Sequence, residues 1–369
     1  MPSSYPTHLK FATYNVETLG EEMEQPGVVS SVNKQKQKEV AETIREMDAD
    51  IVAMEEVPSE KTFDEFVNEN LKAEYPYKQF YQTNDTYNHH MAILSKYPIM
   101  EATSNKNRPL QGIPVKHELH IGNLGSNVNS ENLNELVSRF GEIKSITIKE
   151  QSSDREGASG VKTRYAFVEM ATDEQVKAAV TMLDGQETDG QKLHVAESKQ
   201  SNKPKKFLRD VTATIVNVGG YPMGIFGAHY KANPYFARPA APGAQELARK
   251  IREAEAQETK YIVAEKLKSF PSMHYIVAGD LNTTSEDKAI KTLKDPAVAP
   301  LIDPMEDKTG PEYISHPVTD SRIDYALISP DMAKGVKEAG VHHSAHADKA
   351  SDHLPVYLTF DMEAIQKPI

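Results

Sequence analysis

The sequence predicts a layered α/β protein that is interrupted by a smaller ferredoxin-like unit. Two observations predict this fold class. On both sides of residues 116–200, short apolar runs alternate with amphipathic helices, which is typical of layered α/β domains. Within residues 116–200, the order changes to βαββαβ, which is one complete ferredoxin-like unit. We therefore expect one outer domain formed by residues 1–115 and 201–369, with an insert formed by residues 116–200.

The composition limits the function classes. The 369 residues carry a net charge of −12, which argues against a protein held on nucleic acid by bulk charge alone. The chain has no cysteine, so disulfides, thiolate metal sites and cysteine nucleophiles are excluded. No apolar run reaches the length of a membrane span, so we expect no membrane partner. Residues 1–10 lack the apolar core of a signal peptide, so we expect a cytoplasmic protein unless a leader has been removed.

The first outer segment consists of alternating strands and helices. The predicted elements are strands at 9–16, 51–54 and 91–95 and helices at 35–47 and 61–71. The first strand ends at Asn15, and the second strand leads into Glu55 and Glu56. Polar side chains therefore follow two of the predicted buried strands.

The insert begins with a strand that contains Leu119 and Ile121. Asn129 can cap the first helix, and Thr172 begins a second helix with the pattern of a capping box. Strict alternation predicts a strand at 164–170. The first and last strands of this unit are expected to be antiparallel neighbours, so its two ends emerge together, as an inserted domain requires.

The second outer segment resumes the first pattern. The predicted elements are strands at 211–218, 224–230, 275–278, 322–329 and 356–361 and helices at 245–270 and 288–293. Asp280 and Asn282 follow the apolar run of the third strand, and their spacing places both side chains on one face. A carboxylate and an amide there suit a hard divalent cation and a phosphate. Taken alone, the same pair is equally typical of an Asx turn.

Together, the polar residues at the strand ends resemble the endonuclease/exonuclease/phosphatase (DNase I-like) family. The matching stretches cover the outer domain and are Tyr14-Asn15-Val16, Ala53-Met54-Glu55-Glu56-Val57, Ala92-Ile93-Leu94-Ser95-Lys96-Tyr97-Pro98-Ile99, Gly227-Ala228-His229, Gly279-Asp280-Leu281-Asn282, Arg322-Ile323-Asp324-Tyr325 and Ser351-Asp352-His353-Leu354-Pro355. The resemblance implies a four-layered α/β sandwich with its site at the shared edge of two sheets. It also implies phosphoester hydrolysis that depends on Mg²⁺ or Mn²⁺.

The resemblance assigns roles to individual residues. The implied metal ligands are Asn15, Glu56 and Asp352. The implied catalytic residues are His229, Asp280, Asn282, Asp324 and His353. Among these, Asp280 and Asn282 would orient the attacking water and hold the phosphate or a metal. Asp324 and His353 would form an acid–base pair, and His229 would donate to a phosphate oxygen or assist the leaving oxygen.

Departures from the family pattern narrow this assignment. Glu55 occupies a position that is commonly glutamine, and Val57 replaces the threonine that is usual in enzymes that repair abasic sites.

His89 and His90 are interpreted either as exposed loop residues or as part of the cleft. The cluster at 342–346, which contains three histidines, is interpreted as a solvated loop in preference to a second metal site.

The insert resembles the RNA recognition motif over its whole length. Its signature strands are 119–124 and 164–170, where alternation turns His120, Tyr165 and Phe167 outward. Exposed aromatic rings on an open sheet form a stacking platform for unpaired bases. Thr163-Arg164 replaces the usual basic–glycine pair, and acidic residues outnumber basic ones, so we expect modest affinity. A protein-binding module is the alternative for the insert.

These features predict a Mg²⁺-dependent phosphodiesterase, specifically a nuclease that hydrolyses RNA or other single-stranded nucleic acid. The insert would bind the substrate, and single-stranded RNA is the expected partner. Two alternatives stay open. One is a phosphatase or phospholipid phosphodiesterase of the same fold, and the other is a non-catalytic RNA-binding adaptor.

Overall fold

The computed structural model describes residues 5–25, 28–152, 162–199, 201–234 and 243–365. It divides into two compact units, of which the first comprises Met1–Gly112 with Lys206–Ile369 and the second comprises Ile113–Lys205. Residue 200, where the insert was expected to end, lies outside the described residues.

The described elements follow the alternation seen in the sequence. The strands are β1 (His8–Asn15), β2 (Glu21–Gln25), β3 (Val28–Val32), β4 (Ile51–Val57), β5 (Tyr77–Tyr81), β6 (His90–Ser95), β7 (Ile99–Ser104), β8 (His117–Gly122), β9 (Ile143–Ser152), β10 (Lys162–Met170), β11 (Glu187–Thr188), β12 (Gln191–Lys192), β13 (His194–Glu197), β14 (Thr212–Val218), β15 (Tyr221–Gly227), β16 (His274–Asp280), β17 (Asp324–Ile328), β18 (Val336–Val341) and β19 (Val356–Asp361). The helices are α1 (Lys34–Met47), α2 (Glu60–Asn70), α3 (Ser130–Val137), α4 (Asp173–Leu183), α5 (Ala244–Ser269), α6 (Lys288–Lys294) and α7 (Ala347–Ala350). Of the helices in the described ranges, none has both the length and the apolar character that crossing a membrane requires.

The outer unit contains two large sheets. One has the strand order β18-β19-β1-β4-β6-β5, and the other has the order β17-β16-β15-β14-β7. Their facing sides form a single buried cluster, in which Phe11 and Ile93 of the first sheet join Ile225 and Ile276 of the second. This shared core fixes the two sheets against each other, so their edges have a defined relation.

Helices cover the outer faces of both sheets. On the first sheet, Val40 and Ile44 of α1 and Phe66 of α2 pack into a second buried cluster with the strands. On the second sheet, the Tyr230 hydroxyl hydrogen-bonds Thr259 of α5 over 2.7 Å. The outer unit is therefore a four-layered α/β sandwich, as the sequence predicts.

The insert has one sheet, with the strand order β13-β8-β10-β9, and two helices. Asn129 caps α3, and its side chain accepts from the amide of Asn132 over 2.9 Å. As predicted, β8 and β13 are antiparallel neighbours. Just beyond them, the amide of Asn202 donates to the Lys116 carbonyl over 2.8 Å, so the two ends of the unit meet.

Several strands were missed or displaced in the sequence analysis. The strands β5, β7 and β18 were not predicted, and the predicted strand 224–230 occurs as Tyr221–Gly227. In β18, two charged residues and Gly340 interrupt the apolar pattern because this strand lies at the edge of its sheet. An edge strand needs little apolar surface, so hydrophobic periodicity does not reveal it.

Candidate active site and nucleic-acid interface

The polar strand ends meet because of the strand directions. In the first sheet, β1 and β4 are parallel and aligned, so that Asn15 lies opposite Glu55 at their carboxyl ends. In the second sheet, β16 ends at Asp280, and the antiparallel β17 begins opposite it at Asp324. The two edges are joined by a hydrogen bond of 3.2 Å from the Asn15 amide to the Asp280 carboxylate.

Glu56 lies on a bulge in β4. Its neighbours Glu55 and Val57 pair with consecutive residues of β6, so Glu56 is the unpaired extra residue. Its φ of 60° is in the left-handed region, which is uncommon for any residue except glycine. Here the bulge lets adjacent glutamates take different roles. Glu55 is fully buried, whereas the Glu56 carboxylate opens to the cleft, 3.9 Å from a ring nitrogen of His229.

Asp280 is the centre of the site. Gly279 makes its position possible, since a Cβ there would lie 2.1 Å from the Ala228 carbonyl oxygen. The carboxylate accepts from both the backbone amide and the side-chain amide of Asn282, over 2.8 and 3.0 Å. It lies 3.3 Å from His229 Nε2. Burial alone would raise the pKa of Asp280, but the adjacent His229 ring and the charge of His353 hold it below its ordinary value. Asp280 is therefore an ionised acceptor at neutral pH.

His229 and His353 differ in charge. The His229 ring is fully buried, and burial lowers its pKa to about 4, so it is a neutral imidazole at pH 7. His353 Nδ1 lies 2.9 Å from the Asp324 carboxylate, which also accepts from the Ser315 hydroxyl over 2.7 Å. Burial opposes the charged form of His353, but the Asp324 charge outweighs it and raises the pKa of His353 well above its ordinary value. The site thus contains one neutral and one protonated histidine.

Asp352 lies in the same cleft but beside different neighbours than expected. Its carboxylate is 3.6 Å from His316 Nε2, and the His316 ring packs against His353 with 4.5 Å between centroids. The sequence analysis grouped Asp352 with Asn15 and Glu56 as a metal ligand. Among the described residues, Asp352 forms a candidate metal group with His316 and His353, and its role beside Asn15 and Glu56 stays a prediction.

Three groups of side chains in the cleft could hold a cation. They are Glu56 with His229 and Asp280, Asp280 with Asp324 and His353, and His316 with Asp352 and His353. The first group fits best, because it combines two carboxylates with a neutral histidine. Neither ring nitrogen of His229 completes a hydrogen bond within the described part of the chain, although the ring is buried. A buried donor–acceptor ring without partners, between two carboxylates, is the arrangement expected where a ligand completes the site.

The cleft also contains residues that the sequence analysis did not select. Its volume is about 350 Å³, and its lining includes Arg209, Asn233, Arg252 and His316. Arg209 and Arg252 are almost completely buried. Neither arginine could have been selected from the sequence, because a buried cation beside a strand or on a charged helix has the same local pattern as a solvated one.

The remaining histidines separate into two sets. His89 faces the cleft, with Nδ1 at 3.2 Å from Asp85 and Nε2 at 3.9 Å from Glu56. The three histidines of the 342–346 cluster lie at the surface instead. There His342 lies 3.2 Å from Glu46, and His343 donates to the Glu312 carbonyl over 2.9 Å. Among the described residues, this cluster forms no group of potential metal ligands.

The insert presents an aromatic face. Ala166 and Val168 of β10 are buried. Tyr165 and Phe167 alternate with them along the strand and therefore lie on the opposite side of the sheet. Their rings contact that of His120 on β8, with centroid distances of 5.5 and 5.4 Å. Lys149 lies over the Phe167 ring at 5.4 Å. Three adjacent half-exposed rings and one cation can accept stacked bases and a phosphate.

Arg164 lies on β10 at a position where the family pattern usually has glycine, and its side chain contacts other residues of the insert. Its guanidinium donates to the carbonyls of Gly125 and Ser126, over 2.5 and 2.7 Å, and pairs with Glu150 over 2.9 Å. These contacts hold the loop that precedes α3. Arg164 is therefore engaged within the insert, and Lys149 is the cation beside the aromatic rings.

Comparison with known proteins identifies the insert. The family model of the RNA recognition motif matches residues 119–194. The putative RNA-binding protein RbpD of Nostoc sp. is 36% identical over 81 residues, which are 22% of this chain and 81% of that protein. The putative RNA-binding protein RbpB of the same organism is 35% identical over 81 residues, which are 22% of this chain and 74% of that protein.

Solved structures align with 96% of this chain. Truncated TDP2 from Caenorhabditis elegans aligns with a TM-score of 0.51 and 12% identity, covering 96% of this chain and 97% of that one. The endonuclease/exonuclease/phosphatase from Bacteroides vulgatus aligns with a TM-score of 0.47 and 14% identity, covering 96% and 98%. The predicted fold class is confirmed. The chain therefore belongs to the RNA recognition motif family through residues 119–194, which interrupt an outer domain that shares the fold of TDP2.

Proposed function

We propose that this protein is a divalent-metal-dependent phosphodiesterase that cleaves single-stranded RNA. One observation carries the proposal: Glu56, His229 and Asp280 form a candidate metal group, and Asp280 also lies 3.9 Å from the protonated ring of His353. Hydrolysis of a phosphodiester needs charge compensation, an oriented water and a proton donor. This cleft has side chains for all three.

Glu56 and Asp280 are the residues proposed to hold the cation. Oxygen donors and the absence of cysteine favour Mg²⁺ or Mn²⁺ over metals that prefer thiolates. When bound there, a divalent cation supplies a Lewis acid that polarises a phosphoryl oxygen. Asn15 would support the site through its hydrogen bond to Asp280. Asp352, which lies beside His316, would bind the cation only as part of a second group.

The other side chains have distinct proposed tasks. The ionised Asp280 accepts hydrogen bonds and would align the attacking water, while the Asn282 amide would donate to a phosphate oxygen. His353, charged because Asp324 stabilises its proton, would stabilise the growing negative charge or protonate the leaving oxygen. The neutral His229 would donate one hydrogen bond to a non-bridging oxygen.

The insert supports RNA as the substrate. Its aromatic face offers sequence-tolerant stacking for unpaired bases, and its relatives include named RNA-binding proteins. We propose that residues 116–200 form the RNA-binding domain and that the flanking segments form one catalytic domain. Binding by the insert would raise the local concentration of RNA near the cleft without changing the chemistry.

A substrate panel tests the proposal. Purified protein is incubated with single-stranded RNA, single-stranded DNA, sphingomyelin and an inositol phosphate, each with Mg²⁺ and with excess EDTA. We expect cleavage of RNA in Mg²⁺ and none in EDTA. Glu56→Gln removes a charge from the proposed metal group and should require more Mg²⁺ for half-maximal activity. Full RNA cleavage in EDTA, or hydrolysis of the lipid alone, would contradict the proposal.

A further inference from the structure

Two buried arginines in the cleft have no role in the chemistry proposed above. Arg209 and Arg252 are 6% and 4% exposed, and both line the cleft that contains Asp280 and Asn282. Burying a guanidinium is unfavourable unless its donors and charge are matched. The partners of Arg209 and Arg252 therefore indicate what these two side chains can bind in the cleft.

Both arginines are anchored on the same short segment. The Nη1 atom of Arg209 donates to the Tyr230 carbonyl over 2.8 Å, and that of Arg252 donates to the next carbonyl, Lys231, over 3.1 Å. The Asn282 side-chain amide reaches the Tyr230 carbonyl as well, over 3.3 Å. One peptide segment thus places both guanidinium groups next to Asn282.

The charge of these guanidinium groups is only partly matched. Arg209 Nε lies 3.4 Å from Asp85, and a terminal nitrogen of Arg252 lies 3.7 Å from Asp287, both longer than a good charge-assisted hydrogen bond. Within the described residues, neither Nε completes a hydrogen bond. Each guanidinium has five N–H donors, and one of them is used by a carbonyl. Donors therefore remain for a ligand.

A further buried acid, Glu255, compensates the two arginines incompletely. Its carboxylate accepts from the Lys231 amide over 2.8 Å. Burial raises the pKa of Glu255 to about 7, so part of the population is neutral at neutral pH. Arg209 and Arg252 therefore bring two cationic groups with unused donors to one wall of the cleft, where Asp85 and Asp287 offset only part of their hydrogen-bonding capacity.

We propose that Arg209 and Arg252 form a second phosphate subsite, which binds a phosphate group adjacent in the substrate to the phosphodiester that is cleaved. This inference rests on the proposed phosphodiesterase function. Guanidinium groups match the planar, bidentate geometry of phosphate oxygens. A polynucleotide carries a phosphate at every nucleotide, whereas sphingomyelin carries one phosphate in all. The subsite would therefore select nucleic acid over a simple diester, independently of the insert.

Short substrates that differ by one phosphate test the subsite. The full chain is assayed in Mg²⁺ with the dinucleotides UpU, pUpU and UpUp. For the wild type, we expect one terminal phosphate to raise kcat/KM over UpU by roughly tenfold to a hundredfold, the ratio that corresponds to one charge-assisted hydrogen-bonded pair. Arg252→Gln should abolish this preference. Arg252→Lys, which keeps the charge but loses the planar fork, should retain part of it.

Arg249→Gln is the matched control. Arg249 lies one turn earlier on α5, outside the cleft lining, and is paired with Glu246 over 2.9 Å at the surface. This variant removes the same charge by the same substitution and should keep the full preference. If the wild type shows no preference for either terminal phosphate, or if Arg252→Gln keeps the preference, the inference is wrong.

Two further measurements are needed. One distinguishes an internal phosphate from a terminal phosphate as the group bound, and the other distinguishes failure of the subsite from failure of the phosphodiesterase function. The tetranucleotide UpUpUpU, which has only internal phosphates, should show the same dependence on Arg252 if the subsite binds a neighbouring diester. If only pUpU or UpUp shows this dependence on Arg252, the subsite binds a terminal phosphate. Calorimetric titration of pUpU in EDTA measures binding without turnover. Binding that Arg252→Gln abolishes, in a protein that cleaves no substrate, would support the subsite while refuting the phosphodiesterase.

Discussion

Glu255 provides a test of the energetics of the cleft that does not depend on metal or activity. Its side chain is 1% exposed, Oε2 accepts from the Lys231 amide, and Oε1 has no hydrogen-bond partner among the described residues. Burial raises its pKa from 4.5 to about 7, although the charges of Arg209 and Arg252 oppose this shift. The carboxyl therefore keeps its proton in the folded chain over a pH range in which the unfolded chain has lost it.

The size of the effect follows from linkage. Because the pKa of the folded state exceeds that of the unfolded state, stability is fully present below about pH 4.5 and is lost as the pH rises through about 7. Each pH unit in this window changes the free energy of unfolding by about 1.4 kcal/mol, so the total loss is about 3 kcal/mol. The side chain of the Glu255→Gln variant is neutral at every pH, so this variant does not lose stability as the pH rises. If burial of its amide costs free energy, that cost is the same at every pH and does not change the pH dependence of the free energy of unfolding.

Urea unfolding of both proteins between pH 4.5 and pH 8, with EDTA, measures the difference. Circular dichroism is a suitable probe because the chain has no tryptophan. The free energy of unfolding of Glu255→Gln, relative to the wild type, should rise by about 3 kcal/mol across this range. Parallel pH profiles for the two proteins would refute the reasoning, because they would show that the carboxyl ionises in the folded chain as it does in the unfolded one.

Three other predictions concern the proposed chemistry and the insert. Asp280→Asn should lower turnover by several orders of magnitude with little change in secondary structure, measured by steady-state cleavage and circular dichroism; near-normal turnover would exclude its role. His353→Ala should lower kcat by roughly 10²-fold or more, the usual contribution of a positioned acid–base group, and an unchanged kcat would contradict it. Tyr165→Ala with Phe167→Ala should weaken single-stranded RNA binding by roughly one to three orders of magnitude if each ring stacks a base. Fluorescence anisotropy measures this, with the exposed Met182→Ala as a control, and equal affinity of parent and double variant would indicate another role for the insert.

The sequence could predict where several polar residues of the candidate site lie, because these residues follow apolar strands, whereas their proposed roles came from the family resemblance. Asn15 and Asp280 are each the last residue of a buried strand, so hydrophobic periodicity locates them and strand direction brings them together. The outward face of β10 was predictable for a similar reason, since alternation alone separates Tyr165 from Ala166. These are local patterns, and local patterns are visible in sequence.

The features that were missed depend on tertiary contacts. Arg252 lies on a long, highly charged helix, where only packing distinguishes a buried cation from a solvated one. His316 lies in a loop that backbone hydrogen bonds to Ser321 hold, and its ring packs against that of His353, 37 positions later in the chain. Asp352 lies beside His316 through the same kind of contact between distant segments. No short sequence window contains this information.

The bulge at Glu56 implies a conflict between stability and activity. A left-handed backbone at a residue with a long side chain costs of the order of 1–3 kcal/mol, and the fold tolerates it at the one position where the carboxylate must leave the strand. Glycine at this position would relax the backbone and remove a negative charge from beside Asp280, so selection for thermal stability alone would favour a chain that lacks one carboxylate of the candidate metal group. Glutamate at position 56 is therefore explained by the chemistry of the cleft rather than by the stability of the fold.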